Sequence, residues 1–331
     1  MLFLNKEAIE NSFNMVDAIE ASKAALVMYC QEQANVPLRT NINVTEYEGQ
    51  SLYMPAYTNG QVEALGVKIV SVYPKNIEKG LPSVPSTMVV LNPETGIVSA
   101  VLDGTHLTQL RTAAVQGAAT DLMANKDAEI AALIGTGGQG FQQAIAMMTV
   151  RDLKELRVFD INFERCKEFS AQLQEYANGK FSTKIIAVET SKEAVTGADI
   201  VTTVTTSKMP TFDAADIKAG AHVNGVGSYT PEMMELPTEL LVKANSIIFD
   251  TNDGVLAEAG DIITPLKEGK ISKEDLKGQL GEVALGKVTA RHSNSDITVF
   301  KTVGTAVLDV VTAHLIVEKC QENGQGVEVN F

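Results

Sequence analysis

The stretch Ile134-Gly135-Thr136-Gly137-Gly138-Gln139-Gly140 decides the fold of this 331-residue chain. It lies between an apolar segment, Glu129–Ile134, and a segment with helical periodicity, Phe141–Val150. A Gly-x-Gly-x-x-Gly pattern is weak by itself, but a strand before it and a helix after it make it specific. The first glycine permits a tight turn, the second lets the backbone approach a pyrophosphate, and the third allows close packing of helix on strand. The stretch therefore predicts a dinucleotide-binding loop rather than a glycine-rich turn that binds nothing.

An acidic residue follows the loop at the distance that suits a dinucleotide. Asp160 ends the next predicted strand, Glu155–Asp160, and lies twenty residues past Gly140. A carboxylate there can accept hydrogen bonds from the adenosine ribose and would repel a 2′-phosphate. The next residue able to hold such a phosphate is Arg165. The sequence therefore predicts NAD(H) as the cofactor rather than NADP(H).

The chain beyond Asn125 alternates between short apolar or β-branched segments and helical ones. Such a rhythm predicts a Rossmann-type, doubly wound parallel sheet. The later strands are predicted at Lys184–Val188, Ile200–Thr205, His222–Val226, Ile247–Asp250 and Val299–Phe300. Ligands bind at the carboxyl ends of parallel strands. We therefore predict that the cofactor is contacted by Thr203, Val223, Asn224, Gly225 and Val226. Threonine is also a good strand former, so a purely structural role stays open for such residues.

The first part of the chain has a different character. Strands separated by glycine and proline turns are predicted at Thr40–Tyr47, Ser51–Tyr57, Leu65–Tyr73, Thr87–Leu91 and Ile97–Leu102. Helices are predicted at Met15–Gln33, Thr105–Ala124 and, at the other end of the chain, Val303–Glu322. Consecutive strands joined by short turns indicate a mostly antiparallel or mixed sheet.

Three cations occur in surroundings that invite a functional role. Lys68 alternates with Val70 and Val72 on one face of a predicted strand, and a lysine on an apolar face is costly unless it is paired or used. Arg111 sits among small residues in a predicted helix, and arginine is suited to clamp a carboxylate. Arg39 is a weaker candidate. The alternatives are a solvent-facing strand face for Lys68 and surface ion pairs for the arginines.

Composition excludes several classes of function. The formal net charge is −14 and the pI about 4.8, which argues against nucleic acids and anionic membrane surfaces as partners. We expect neither a signal peptide nor a membrane span. Three separated cysteines predict reduced thiols in the cytoplasm. Four scattered histidines provide no ligand spacing, so no metal site is expected.

Several segments taken together resemble the ornithine cyclodeaminase/mu-crystallin family over essentially the whole chain. They are Lys68 in its strand, Leu102–Gly104, Leu110–Ala114, the loop at Ile134–Gln139, Ala221–Gly227 and Thr298–Gly304. The resemblance implies a discontinuous α+β substrate-binding and dimerisation domain, residues 1–122 plus 304–331, into which an NAD-binding Rossmann domain, residues 123–303, is inserted. It also implies a homodimer.

The family resemblance implies roles for individual residues as well. Arg39 and Arg111 would hold the substrate carboxylate, and Lys68 would meet the carbonyl or imine region. Thr87 and Arg111 resemble positions beside the cofactor, and Ile297 a position near the nicotinamide. Glu282 is a further candidate for substrate contact, although it could equally be a helix-end or turn residue.

One position departs from the cyclodeaminases of this family. Where these enzymes and some alanine dehydrogenases carry an aspartate acid/base, this chain has Tyr229, in Gly227-Ser228-Tyr229-Thr230-Pro231. A phenol with a pKa near ~10 cannot replace a carboxylate that pairs with an ammonium group. The departure favours reduction of a small cyclic imino acid, such as Δ1-pyrroline-2-carboxylate, with Lys68 as acid/base and Tyr229 as a pocket wall and hydrogen-bond donor. Ornithine cyclodeaminase, alanine dehydrogenase and a non-catalytic NAD(P)H-binding protein are the alternatives.

Overall fold

A computed structural model describes residues 1–330 of the chain. In chain order the strands are β1 (Leu2–Leu4), β2 (Ala34–Asn35), β3 (Thr40–Val44), β4 (Gly49–Asn59), β5 (Glu63–Val72), β6 (Ser86–Leu91), β7 (Val98–Asp103), β8 (Ile130–Ile134), β9 (Glu155–Phe159), β10 (Lys184–Ala187), β11 (Ile200–Thr203), β12 (His222–Gly225), β13 (Ser246–Phe249), β14 (Leu276–Gln279), β15 (Thr298–Lys301) and β16 (Val327–Glu328). The α-helices are α1 (Lys6–Ser12), α2 (Met15–Cys30), α3 (Gly104–Met123), α4 (Gly140–Val150), α5 (Phe163–Ala177), α6 (Ser191–Val195), α7 (Thr238–Lys243), α8 (Asn252–Glu258), α9 (Gly260–Lys267), α10 (Leu280–Ala284) and α11 (Ala306–Glu322). Short 3₁₀ helices occupy Thr45–Tyr47, Pro74–Lys79, Ala214–Asp216 and Lys273–Asp275.

The chain forms two compact units. The split unit consists of Met1–Arg111 and the segment that starts at Thr305, and the middle unit is Thr112–Gly304. The first boundary therefore falls inside α3, eleven residues before the predicted junction at 122/123. The second half of α3 joins the middle unit because its side chains bond there: the Asn224 amide donates to Thr120 Oγ1 at 3.1 Å.

The split unit is built on a mixed eight-stranded sheet. Its order is β16-β1-β7-β6-β5-β4-β2, and β3 pairs with β4. β1 runs parallel to β7 and the other pairs are antiparallel, as the short turns predict. Helix α11 packs on β4, β5 and β6 and also against α2. It buries nearly its whole length, including Asp309, so the sheet face beneath it is an interior face.

The middle unit is a parallel sheet covered by helices. Its order is β10-β9-β8-β11-β12-β15-β13-β14, and all the pairs are parallel. The chain leaves β8 toward β9 on one side and returns at β11 on the other, so the carboxyl ends of β8 and β11 flank the switch point where such sheets bind ligands. Four strands are buried at every residue, as hydrophobic runs in a doubly covered sheet predict: β11, β12, β13 and β15.

The predicted elements are confirmed in kind and shift at their ends. Most strands and helices begin or end within one to three residues of the prediction; α2, for example, ends at Cys30 rather than Gln33. The strands β1, β2, β14 and β16 and the helix α1 were not predicted, because elements of two to seven residues carry little periodicity. Among residues 1–330, none of the helices has the length and apolarity that a bilayer crossing requires.

Candidate active site

The predicted phosphate loop connects β8 to α4 in the middle unit. Gly135 has a φ of +106°, and a Cβ there would lie 2.8 Å from the Val204 carbonyl oxygen. A Cβ at Gly140 would lie 2.8 Å from the Gly135 carbonyl oxygen, whereas one at Gly137 would meet nothing within 4 Å. The first and last glycines are thus required by the fold itself. The middle glycine faces open space, as close approach of a phosphate requires.

The start of α4 completes this loop. Gln139 is its N-terminal cap but makes no side-chain capping bond, and its Oε1 is buried with no hydrogen-bond partner among the described residues. The first turn of an eleven-residue helix presents amide groups and a partial positive charge to an anion. Loop and helix together form a cradle with the chemistry for a pyrophosphate.

Asp160 follows β9 and is held firmly by the loop. Its Oδ2 accepts from the Thr136 amide at 3.0 Å and the Thr136 hydroxyl at 2.7 Å, and its Oδ1 accepts from the Asn162 amide and from Arg165. Burial alone would raise the pKa of Asp160, but these hydrogen bonds hold it below its ordinary value. The carboxylate is therefore charged. Arg165, whose side chain is about half exposed, pairs with Asp160 Oδ1 at 2.6 Å.

The strand-end residues predicted to contact cofactor are largely engaged in the interior of the middle unit. The Asn224 side chain donates to Thr120 and Thr202 and bonds His222 Nε2 at 2.9 Å. Val223 belongs to the hydrophobic core. Burial of His222 lowers its pKa to about 3, so the imidazole is neutral. The His222-Val223-Asn224 segment thus serves the core through its side chains and pairs with β11 and β15 through its backbone. The cofactor contacts predicted for Thr203, Gly225 and Val226 at the strand ends stay predictions.

Tyr229 lies in the loop that follows β12, and other residues of this loop bond a buried carboxylate that the sequence did not predict. The amides of Gly227 and Ser228 donate to Glu235 Oε2 at 2.6 and 2.9 Å, and the Thr205 amide donates to Oε1. Burial raises the pKa of Glu235, and the charge of Lys301 opposes that effect. Tyr229 itself is partly buried against the hydrophobic core. Glu235 thus ties the loops after β11 and β12 together.

Two other candidates in the middle unit serve local structure. Glu282 caps α10, where its Oε2 accepts from the Gln279 amide at 2.8 Å. This is the helix-end role that the sequence left open for it. Ile297 packs against the core, and its amide donates to Asn245 Oδ1.

The split unit contains the second group of candidates, around Lys68 on β5. Lys68 is 1% exposed, so the solvent-facing alternative is wrong. Its cross-strand neighbours are Met54 and Met88, both buried. Its Nζ donates to Asp309 Oδ1 on α11 at 2.7 Å, and the Arg111 Nε donates to the same oxygen at 2.8 Å. Lys68 and Arg111 are thus brought together by a carboxylate that the sequence reading missed.

The electrostatics of this cluster favour a lysine that can give up its proton. Desolvation by burial is the largest effect and, with the charge of Arg111, lowers the pKa of Lys68 to about 7. Asp309 opposes both effects, while Arg39 adds to them. Such a value near neutrality is what general acid–base work requires. The charge of Arg39 has the smallest of these effects on the pKa of Lys68.

Thr87 is the candidate in the split unit that does not join Lys68 and Arg111. It pairs with Ile69, one residue beyond Lys68, so strand alternation puts it on the opposite face of the sheet. It is exposed there and lines a cleft of about 600 Å³ with Phe3, Asp103 and Val327.

The residues that the sequence reading missed are buried charges. Asp309 interrupts the apolar run of α11, and Lys301 ends the apolar strand β15, where it is ion-paired with Asp261 at 2.9 Å. A charged residue inside an apolar run was the available signal in both cases. Among residues 1–330, no group of three or more histidine, cysteine or acidic side chains could hold a metal ion.

Fold and site geometry together define a class. The chain belongs to the ornithine cyclodeaminase/mu-crystallin family, whose sequence model matches residues 1–324. The Rossmann-type parallel sheet inserted into a discontinuous α+β unit is therefore confirmed.

Particular relatives narrow the comparison. The chain is 33% identical over 331 residues to a Δ1-pyrroline-2-carboxylate reductase of Bacillus cereus, covering all of both chains. It is similar to the structure of the Thermococcus litoralis Δ1-pyrroline-2-carboxylate reductase in complex with NADH and L-proline, with a TM-score of 0.94, 38% identity and coverage of 99% of this chain and 100% of the other. It also resembles an archaeal alanine dehydrogenase dimer with bound NAD, with a TM-score of 0.90, 30% identity and coverage of 100% and 99%.

Proposed function

We propose that this chain is an NAD(H)-dependent oxidoreductase that reduces a small cyclic imino acid, such as Δ1-pyrroline-2-carboxylate, to the amino acid, here proline. The observation that carries the proposal is the buried Lys68–Asp309–Arg111 cluster, in which a lysine with a pKa of about 7 adjoins a carboxylate-binding cation. The likeness to two reductases of this substrate supports it.

The phosphate loop fits a nicotinamide dinucleotide. The open space at Gly137 and the backbone amides at the start of α4 provide room and hydrogen-bond donors for a pyrophosphate. The charged Asp160 favours a ribose hydroxyl over a 2′-phosphate. Reduced nicotinamide, when bound, supplies the hydride that this reaction needs.

The residues of the split unit would bind the substrate and hold the proton. Arg111 donates to Asp309 through Nε, which leaves its two Nη atoms to form a bidentate pair with the substrate carboxylate. Arg39 would add a second positive charge. As the carbon–nitrogen double bond is lost, the nitrogen takes a proton from Lys68 Nζ, and solvent later restores that proton. One imine, one hydride and one proton thus yield one secondary amine.

Tyr229 favours net reduction over cyclodeamination. At neutral pH a phenol is uncharged and cannot pair with the ammonium group of a diamino acid as a carboxylate does. A neutral Tyr229 would instead donate a hydrogen bond, and its loop is fixed by Glu235.

The test is an assay of the full chain with Δ1-pyrroline-2-carboxylate and NADH. We expect stoichiometric loss of NADH absorbance together with proline formation, and a weaker reaction with NADPH. Ornithine with catalytic NAD, and pyruvate with ammonia and NADH, are run in parallel. Efficient conversion of ornithine to proline and ammonia without net NADH change would overturn the proposal, as would a preference for pyruvate and ammonia.

The assembly and location of the protein are part of the proposal. A homodimer is supported by the archaeal alanine dehydrogenase dimer, and light scattering of the purified chain tests it. A cytoplasmic location is supported by Cys30, Cys166 and Cys320, which form no disulfide bond among the described residues. Cell fractionation tests that assignment.

A further inference from the structure

Asp309 is a buried carboxylate with an unusual allocation of its bonds. It is 0% exposed, and its Oδ1 accepts from both Lys68 Nζ and Arg111 Nε. Its Oδ2 is buried and has no hydrogen-bond partner among the described residues. A carboxylate whose sole role was to neutralise buried charge would gain from using both oxygens. The shared oxygen instead fixes the two cations at one point.

Asp309 lies where local structure provides positive electrostatic potential. The residue lies in the first turn of α11, where the helix dipole stabilises an anion. The ion-pair distances of 2.7 and 2.8 Å are those of charge-assisted hydrogen bonds. One negative charge therefore stands against the two cations that it touches and a third, Arg39, that acts on Lys68.

We propose that Asp309 is a positioning residue that keeps Lys68 protonated and orients Arg111, so that the cluster binds an anionic imino acid and has a proton ready for it. This inference rests on the proposed function of Lys68. The groups that act on Lys68 are Asp309 from α11, Arg111 from α3 and Arg39, while the strands on either side present Met54 and Met88. Asp309 is the single anion of this set, so its charge decides how long Lys68 stays protonated as the pH rises.

The charge and the geometry of Asp309 can be separated with two variants. Asp309→Asn keeps an oxygen acceptor but removes the charge, so Lys68 should lose its proton at lower pH. We expect the alkaline limb of kcat/KM for imine reduction to move down by about one to two pH units, the size of effect of one adjacent charge. In proline oxidation, which needs neutral Lys68, the acidic limb should move down by the same amount. Asp309→Glu keeps the charge, so it should restore the limbs but raise KM because Arg111 is displaced.

A matched control and a second readout keep the test decisive. Asp17 pairs with Lys319, which lies on α11 as Asp309 does. Asp17→Asn removes this carboxylate and should move neither the alkaline limb of imine reduction nor the acidic limb of proline oxidation. Equal loss of activity at every pH in Asp309→Asn, with unmoved limbs, would overturn the proposal and leave Asp309 a structural tether. If Asp309→Asn does not fold, the Asp309→Glu variant decides. An unchanged KM together with shifted limbs of the kcat/KM profiles in Asp309→Glu would also overturn the proposal.

The same experiment distinguishes this inference from the proposed function. The Lys68 side-chain signal, assigned by its absence in Lys68→Ala, is titrated by NMR in the wild-type chain and in Asp309→Asn. A lower titration midpoint in the variant supports the role of Asp309 even if no cyclic imine is reduced. An unchanged midpoint overturns that role even if the wild-type chain proves to be a good imine reductase.

Discussion

The two units each bury a lysine against an aspartate, yet the two clusters differ in their balance of charge. In the split unit Lys68 and Arg111 share a single carboxylate, Asp309, so cations are in excess. In the middle unit Lys301 pairs with Asp261, and Glu235 acts on it as well, so carboxylates are in excess.

The remaining bonds of the carboxylates complete this difference. Backbone amides bond the carboxylates of the middle unit: Asp261 Oδ1 accepts from the amides of Glu235 and Leu236, and Glu235 accepts three more from the loops after β11 and β12. The cluster around Asp309 instead has more positive than negative side chains. Carboxylates that accept from backbone amides hold loops in place, whereas a cluster with excess positive charge can bind an anion. We therefore expect the balance of charges, and not the residue types, to distinguish a substrate-binding cluster from a structural one.

Removal of Lys68 tests the functional side of this comparison and should have the largest effect. We expect Lys68→Ala to lower kcat of imine reduction by roughly 10²- to 10⁴-fold, the range for loss of a general acid. NADH binding, followed by its fluorescence, should be retained, because the phosphate loop lies in the other unit. Loss of both activity and NADH binding would make Lys68 a structural residue like Lys301.

Removal of Lys301 tests the scaffold side. Lys301→Met leaves Asp261 and Glu235 buried without their cation, so we expect the free energy of unfolding to fall by roughly 3–5 kcal/mol. Urea denaturation measures this loss. The protein that remains folded should keep kcat within a few-fold of wild type. A stable variant with activity as low as that of Lys68→Ala would reverse the two assignments.

Substitution of Arg111 tests whether the planar guanidinium group, and not only its charge, binds the substrate carboxylate. Arg111→Lys keeps the charge but removes the fork, and one charge-assisted hydrogen bond is worth about 1.5–3 kcal/mol, so KM for the imino acid should rise roughly 10- to 100-fold. The change in kcat should be smaller. An unchanged KM would mean that the substrate carboxylate binds elsewhere.

The pKa of Lys68 sharpens the comparison without any substitution. The protonated lysine is the acid, and its pKa is about 7, so kcat/KM for imine reduction should be constant below that pH and fall about tenfold per pH unit above it. Proline oxidation should show the opposite limb, falling as the pH drops below the same value. Limbs near the ordinary lysine pKa of about 10.4 in both directions would remove Lys68 from the proton transfer.

The fold was predictable from the sequence to a greater extent than the site. The loop from Gly135 to Gly140 and the period-2 and helical patterns around it identify a parallel sheet, because they depend on local geometry. Lys68 and Arg111 were identifiable as cations in apolar or small-residue surroundings.

Partners that are distant in sequence could not be found in this way. Asp309 is 241 residues from Lys68, and nothing local to β5 signals which helix will cover it. Periodicity likewise places Thr87 on a strand but does not say that its face is opposite to that of Lys68. The capping role of Glu282 needed only the local Gln279–Glu282 spacing, which is why it was already an alternative.

An exposed ion pair on the same helix as Asp309 should show the smallest effect. Lys319 pairs with Asp17 and also lies 5.6 Å from the centre of the Phe13 ring, but its side chain is 41% exposed. Water already solvates such a charge, so Lys319→Met should change the free energy of unfolding by at most about 1 kcal/mol, without change in kcat or KM. Urea denaturation beside Lys301→Met makes the comparison direct, since each variant removes one lysine from one aspartate. A loss as large as that of Lys301→Met would mean that pairing itself, and not the burial of the paired charges, sets the cost, and the distinction drawn between the buried clusters and ordinary ion pairs would fail.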